Sequence, residues 1–365
     1  MSKKKYLCIV SLLIIHEGNA DLIHKSVSIP ATVEYDDNFS LSVPKSESIY
    51  RFISNPQYQI SSGDGVSEIG ADFALLISRS SKKYISANRE DPSLSVHWQT
   101  ETPNGTFKLN TSYAKSSTRV SELVNSGTVQ NDGSTSTKKI TGSYQYLLSD
   151  RLRLGLDADY TKVDYSGTSL SSYKLPAVTA SLNYDYSKLT TTFLRFSASD
   201  YQPSDYSANS LYLSAVGGAK YELTNRLNLI FEFGLNQISS KVKKDGYLGD
   251  ISFTYQYPLA LVSANISHTT DASGIGGFIT LNQLKAGVLH EISPKSNLSF
   301  DISMVKTSGL KQTNLNQLSL SYKYELTPKW NVDLSTSIKQ FKNGKNETAN
   351  GHSIGLTLNY MDLNF

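Results

Sequence analysis

Apolar and polar residues alternate with a period of two along most of the chain. "RLRLGLDADY" sets Leu152, Leu154, Leu156, Ala158 and Tyr160 on one side and Arg151, Arg153, Gly155, Asp157 and Asp159 on the other. "LNLIFEFGL" sets Leu227, Leu229, Phe231, Phe233 and Leu235 against Asn228, Glu232 and Gly234. "LSLSYKYEL" opposes Leu318, Leu320, Tyr322, Tyr324 and Leu326 to Ser319, Ser321, Lys323 and Glu325. "WNVDLSTSI" opposes Trp330, Val332, Leu334 and Ile338 to Asn331, Asp333, Ser335 and Ser337. Helical spacing fits none of these; period two marks a strand with one apolar face.

The alternation predicts sixteen strands over 68–80, 93–101, 105–115, 137–149, 151–164, 175–186, 188–199, 209–223, 226–239, 247–257, 259–269, 278–292, 296–307, 314–326, 329–340 and 352–365. Weaker alternation over 31–42 and 49–61 would raise the number to eighteen. Residues 21–67 are thus an arm, a plug or two extra strands ahead of a barrel over 68–365. Connections alternate between very short turns, as at Ser149-Asp150, Thr224-Asn225 and Thr327-Pro328, and longer polar loops over 116–136, 165–174, 200–208, 240–246, 270–277, 308–313 and 341–351. Such alternation describes an antiparallel meander with two unlike ends.

A closed barrel of sixteen strands is too wide for side chains to fill, so its apolar face must point outward into lipid. A two-sheet sandwich could instead bury that face. Aromatic placement favours the barrel. Tyr144, Tyr146, Tyr184, Tyr186, Tyr221, Tyr255, Tyr257, Tyr322 and Tyr324 sit on the apolar face just before short turns, Trp98 precedes one, and Trp330 follows one. Amphipathic rings collect where hydrocarbon meets headgroups, so these read as one interfacial girdle. Tyr113 and Tyr160, near longer loops, would belong to the other. The expected fold is an all-β transmembrane antiparallel up-and-down barrel, sixteen strands first and eighteen next.

The first twenty residues follow a different rule. "MSKKK" is basic, "YLCIVSLLII" is apolar, and "HEGNA" ends on small residues: a secretory signal peptide cleaved after Ala20. The single cysteine, Cys8, lies inside it, so the mature chain has neither disulfide nor thiol chemistry. The whole chain carries +3; the signal holds three lysines and one glutamate, so the remainder is close to neutral and no nucleic-acid partner is expected. Mean hydropathy is −0.30, and no other apolar run approaches the ~18 residues of a spanning helix.

The chain closes on "GHSIGLTLNYMDLNF". Alternate apolar residues ahead of a final aromatic resemble the segment that barrel-assembly machinery reads in bacterial outer-membrane barrels, with Met361, Leu363 and Phe365 in that role. Tyr360 falls on the opposite parity, and a bulge near Asn359–Met361 is expected to reset the phase.

Residues 31–170 resemble an uncharacterised family of outer-membrane barrels that accompany exosortase and PEP-CTERM systems and exopolysaccharide loci. "VEYDDNFSLS", "ISRSSKKYISANREDPSLSVHW", "GTFKLNTSYAKSSTRVSELVNSGTV" and "VDYSGTSLSSY" carry the likeness. It implies an outer-membrane location in a Gram-negative bacterium and an envelope context, with no catalytic residue to carry over.

Candidate chemistry is sparse. His24, His97, His268, His290 and His352 form no pair with helical metal spacing. Ser95 and His97 lie two apart on one polar face, as in some outer-membrane lipases, without a third member. Asp157 and Asp159 share a polar face beside Arg151 and Arg153, where lumen-lining charge is a simpler reading than acid–base chemistry. The polar-face set expected to line a lumen is His97, Lys108, Arg153, Asp157, Asp159, Asp185, Arg195, Lys220, Glu232, Asp250, Lys285, Asp301, Lys323 and Asp333; its mixed signs favour no strong ion selectivity. "EYDDN" and "SDYQPSDYSAN" lack the spacing of a calcium loop, and "SSGDGVSE" lacks the Lys-Ser/Thr of a phosphate loop. No cofactor and no metal are expected. The expected partners are outer-membrane lipid, the assembly machinery and a polysaccharide. The leading function is a passive pore or scaffold linked to exopolysaccharide or surface-protein export, not an enzyme. The alternatives are an enzyme acting on lipid or glycan, or an adhesin using loop 116–136.

Overall fold

The computed structural model describes residues 23–363 apart from 44–46, 128–131, 206–207, 225, 241–242, 310–311 and 346. The expected signal peptide, residues 1–20, and Phe365 lie outside the described residues. The strands are β1 (His24–Asp36), β2 (Ile49–Ser54), β3 (Gln57–Gly63), β4 (Ser67–Ser80), β5 (Arg89–Thr102), β6 (Gly105–Ser117), β7 (Ser134–Ser149), β8 (Leu152–Ser166), β9 (Tyr173–Ser187) and β10 (Thr190–Pro203). They continue as β11 (Ser210–Thr224), β12 (Leu227–Ser239), β13 (Lys243–Gln256), β14 (Ala260–Ser273), β15 (Gly277–Ser293), β16 (Ser296–Ser308), β17 (Thr313–Thr327), β18 (Trp330–Lys342) and β19 (Thr348–Leu363). One helix, α1 (Thr118–Ser126), follows β6. β2 and β3 each pair antiparallel with β1 and β4, the strands from β4 to β19 pair antiparallel in sequence order, and β1 pairs with β19, so the sheet closes on itself.

The barrel has eighteen staves, not the sixteen first expected. β2 and β3 are one stave: β1 pairs with both in a single register, from Asp36 opposite Ile49 to His24 opposite Ser61. The gap between them falls at Asn55-Pro56, where Pro30 stands across the ladder. Two prolines at one height remove two N–H donors, and the ladder thins there without slipping. Asn55 N still reaches Pro30 O at 3.4 Å, and Leu75 N donates to Pro56 O at 3.1 Å. β1 and the β2–β3 stave therefore complete the ring.

Five of the short turns share one local device. Ser149, Ser187, Thr224, Ser293 and Thr327 each accept a backbone N–H two residues on, at 3.1–3.4 Å. A hydroxyl that caps its own turn competes with the ladder, and the register shifts beside these turns, as between Glu325 and Thr327.

Register also fixes the two faces. Leu156, Val178, Phe196, Phe233, Ile266, Leu320 and Leu356 lie on one face and are each more than a third exposed. The opposite face makes contacts across the ring. Val163, Tyr173 and Tyr201 of β8–β10 pack with Ala272 and Phe278 of the β14–β15 hairpin, and Tyr201 OH donates to Ser273 O at 3.1 Å. Strands so far apart in the ring meet only through its interior. The apolar belt therefore faces out. On β17 it runs from Leu318 to Leu326, about the ~9–11 residues that a tilted spanning strand needs.

No bulge resets the last strand. β19 stays in one register with β1 from Ser353 opposite Asp36 to Leu363 opposite Ser26. Tyr360 keeps the outward parity, with its ring 5.1 Å from that of Trp330, and Met361 falls on the inward parity. A one-residue slip would have turned Leu356, Leu358 and Tyr360 into the lumen, so the belt holds the phase.

Candidate functional site

The site is the lumen and the segment that crosses it. α1 begins at Ser117, whose hydroxyl donates to Asp132 Oδ1 at 2.6 Å, and ends at Gly127, which adopts φ 62°. The left-handed turn costs glycine nothing and brings it against Val305, where a side chain would meet Val305 Cγ1 at 3.1 Å. α1 springs from β6 and β7, yet Thr307 Oγ1 of β16 donates to Ser126 O. Leu123 packs on an inward-facing cluster of Leu41, Leu315, Phe341 and Ala349. Tyr165 OH of β8 donates to Glu122 Oε1 at 2.8 Å. The helix is thus pinned to opposite walls near the long-loop mouth and narrows it. The α1 part of loop 116–136, a loop expected to point outward as an adhesin would need, folds into the barrel mouth instead, where Leu123 meets an apolar cluster.

The base of this loop is held by Arg89. Its guanidinium donates to both oxygens of Asp91, to the backbone oxygens of Gly133 and Ser116, and to Ser134 Oγ, at 2.6–3.2 Å. Beside it, Arg51 and Arg119 face the Phe39 ring at 4.2 and 5.6 Å. Arg119 Nε and Nη1 are buried with no protein acceptor, which leaves donors to spare at the constriction. Sequence reasoning passed over all of these residues; the only trace was the Val120, Leu123, Gly127 spacing inside a polar loop.

The register puts the fourteen residues expected in the lumen on the inward face. Many are tied to neighbours. Arg153 Nη2 donates to Asp185 Oδ1 at 2.8 Å, and Arg195 is paired with Glu232. Thr141 and Lys139 reach Asp159 at 2.6 and 3.4 Å, and Asn265 holds Asp250 at 2.9 and 3.0 Å. Lys323 stands opposite Asp333, Lys285 opposite Asn265, Lys108 opposite Gln99, and Asp157 opposite Ser143. Asp301 Oδ1 lies over Gly287, and Lys220 pairs with Glu222 at 2.6 Å. Pairs this exposed contribute only ~0–1 kcal/mol each, so they are not what holds the wall together.

His97 and Ser95 meet a third residue. Ser95 Oγ donates to Asp72 Oδ2 at 2.7 Å, and His97 Nδ1 lies 3.8 Å from the same oxygen. The order is wrong for a nucleophile, because the serine proton points at the carboxylate and not at an imidazole. Asp157 and Asp159 sit on the inner wall with no geometry that pairs them as acid and base. "EYDDN" is an Asx-type turn: Asn38 N donates to Asp36 Oδ1 at 2.9 Å and His352 N to Asp37 Oδ1 at 2.7 Å. "SSGDGVSE" turns on Asp64, which accepts from Val66 N and Ser67 N at 2.9 and 2.6 Å.

The aromatic residues expected in the girdle face outward beside the short turns. Trp98 lies 5.5 Å from Phe107, Tyr144 6.2 Å from Tyr146, Tyr221 6.3 Å from Phe231 and Tyr255 4.4 Å from Tyr257, ring to ring. Tyr184 and Tyr186 on β9 and Tyr322 and Tyr324 on β17 are all exposed at that end. At the other rim His268 stacks on Tyr247 at 4.1 Å.

No family model matches the chain, and no curated protein matches it in sequence. Solved structures do. Pseudomonas aeruginosa OpdO aligns over 93% of this chain and 97% of its own, with TM-score 0.55 and 10% identity. The outer membrane protein OpdK from the same organism aligns over 93% and 98%, with TM-score 0.54 and 10% identity. P. aeruginosa OccK2 (OpdF) gives TM-score 0.53 at 11% identity over 93% and 98%. At these identities the likeness is one of fold, and it extends over nearly the whole of each barrel.

Proposed function

We propose that the protein is a passive diffusion pore of the Gram-negative outer membrane, with its short turns in the periplasm and its long loops outside. It admits small hydrophilic solutes past α1. The observation that carries this reading is a closed ring with hydrocarbon side chains outside, paired charges inside and one helix pinned across the mouth. Such a wall is stable only with lipid around it and water within it. The shared fold with OpdO and OpdK, the latter an outer membrane protein, supports the location. Purified protein added to a planar bilayer is expected to produce discrete, ohmic conductance steps. A silent bilayer containing folded barrel would refute the pore.

The likeness of residues 31–170 to barrels of exopolysaccharide and PEP-CTERM systems supports a narrower proposal, that the cargo is an envelope polysaccharide or its fragments. Its test is genetic: deletion is expected to reduce surface polysaccharide, and an unchanged surface coat would remove the link. A hydrolase built on Ser95 and His97 would lose all activity on Ser95→Ala, whereas a pore keeps its conductance.

A further inference from the structure

On the outer face of β6–β10, near the long-loop rim, the register sets Tyr113, Lys138, Lys162, Lys174 and Gln202 side by side. Tyr113 stands opposite Lys138, Lys138 opposite Lys162, Lys162 opposite Lys174, and Lys174 opposite Gln202. Three ammonium groups at directly opposed positions on adjacent strands repel one another. One carboxylate answers them: Asp164 Oδ1 lies 3.1 Å from Lys162 Nζ. Asp200 on this rim accepts the Gln202 amide at 2.7 Å, and Asp205 in the loop that follows accepts the Ser171 hydroxyl. Among the described residues Lys138 and Lys174 have no ion-pair partner, and both are exposed. Lys139, next in sequence, points the other way and serves Asp159 in the lumen.

Directly below the row the wall is concave. A groove of about 460 Å³ runs under Lys138 and Lys162 between Leu94, Val96, Ile140 and the rings of Tyr113 and Tyr160. A second groove, about 880 Å³, follows toward the short turns, floored by Gly142, Ala158, Ala180 and Ala198 and walled by Leu156 and Phe196. Small residues on the outer parity make these hollows. A bare anion would satisfy the lysines and leave the grooves empty. A neutral lipid would fill the grooves and leave the lysines repelling. An amphiphile with a doubly charged head and hydrocarbon chains does both.

We propose that this face binds a phosphate-bearing lipid of the outer leaflet, its phosphates on Lys138, Lys162 and Lys174 and an acyl chain in the grooves below. Tyr113 and Tyr160 would donate to the headgroup from the hydrocarbon boundary. The proposal rests on the reading of the outer wall as membrane-embedded, and it is independent of whether the lumen conducts.

The test reconstitutes the barrel in phosphatidylcholine nanodiscs doped with bisphosphorylated lipid A or its dephosphorylated form, and counts the lipid A retained per barrel. Wild type is expected to retain the bisphosphorylated lipid and not the dephosphorylated one. The Lys138→Gln/Lys162→Gln/Lys174→Gln variant is expected to bind about tenfold more weakly. A Lys306→Gln/Lys342→Gln control, which removes two outward lysines from β16 and β18, is expected to bind as wild type. Equal retention by the triple variant, or no preference for the phosphorylated lipid, would overturn the proposal. So would displacement by inorganic phosphate as effective as displacement by intact lipid, which would make the row an anion site alone. A barrel that never enters nanodiscs refutes the membrane reading itself. All the substituted lysines are on the outer face, and heat-dependent gel mobility checks that each variant is still a closed barrel.

Discussion

Arg89 joins five acceptor atoms on three segments, and two of them belong to Asp91, which is only 3% exposed. Without the guanidinium, Asp91 would keep Lys115 Nζ at 3.9 Å and little else. Removing one partner of a buried pair costs roughly 3–5 kcal/mol, because the remaining charge is desolvated and unmatched. Arg89→Ala is expected to lower the urea midpoint in detergent and to make single-channel current noisy, since Gly133 and Ser116 lose their tie. Asp91→Asn in the same background should recover part of the stability by removing the orphaned charge. Arg89→Lys is expected to behave more like alanine than like wild type, because one ammonium cannot span the five acceptors. If Arg89→Ala unfolds at the wild-type midpoint with quiet channels, the arginine is not the anchor described.

α1 is marginal by itself: nine residues, no acidic side chain in its first turn and no basic one in its last. Its position comes from Leu123 against Leu41, Leu315, Phe341 and Ala349, and from Gly127 against Val305. Leu123→Ser is expected to cost about 2–3 kcal/mol of local burial and to release the helix from the far wall. Conductance should rise and flicker, while Leu123→Met, nearly equal in volume, should leave it unchanged. Identical currents in the serine variant would mean that α1 does not limit flow. The helix was hard to see in the sequence because its apolar spacing covers barely two turns inside a run of Ser, Thr and Asn. β1 was half visible for a different reason. Val27, Ile29, Ala31, Val33 and Tyr35 alternate cleanly, but Pro30 stands among them, and a proline normally argues against an interior strand. Here the stave opposite carries Pro56 at nearly the same height, so one thinned stretch of ladder accommodates both.

At the scale of the molecule, the period-two pattern gave strand, face and closure because each strand repeats one decision, apolar out and polar in. Leu229, Phe231 and Leu320 were legible as outward for that reason. The number of staves and the inward fold of the loops were not, since both depend on partners distant in sequence, such as β1 with β19 and Leu123 with Phe341. The two faces of β17 allow a test that separates this architecture from any sandwich with the same strands. Leu320 is outward near the middle of the belt, and Ser319 is inward, opposite Asp301 and Ser337. Leu320→Arg places a cation in hydrocarbon and is expected to cost ~2–4 kcal/mol. Ser319→Arg places the same cation in the aqueous lumen beside Asp301 and is expected to be nearly neutral for stability. It should shift the reversal potential toward anions, because it offsets one inward carboxylate. Both can be followed by urea unfolding in large vesicles, with Trp98 and Trp330 in the girdle as fluorescent reporters. In a soluble sandwich the inner face would be the one that excludes charge without lipid, and Leu320→Arg would then be equally damaging in water and in vesicles. A cost for Leu320→Arg that appears only with a bilayer present, together with a tolerated Ser319→Arg, is the outcome a lipid-facing wall requires.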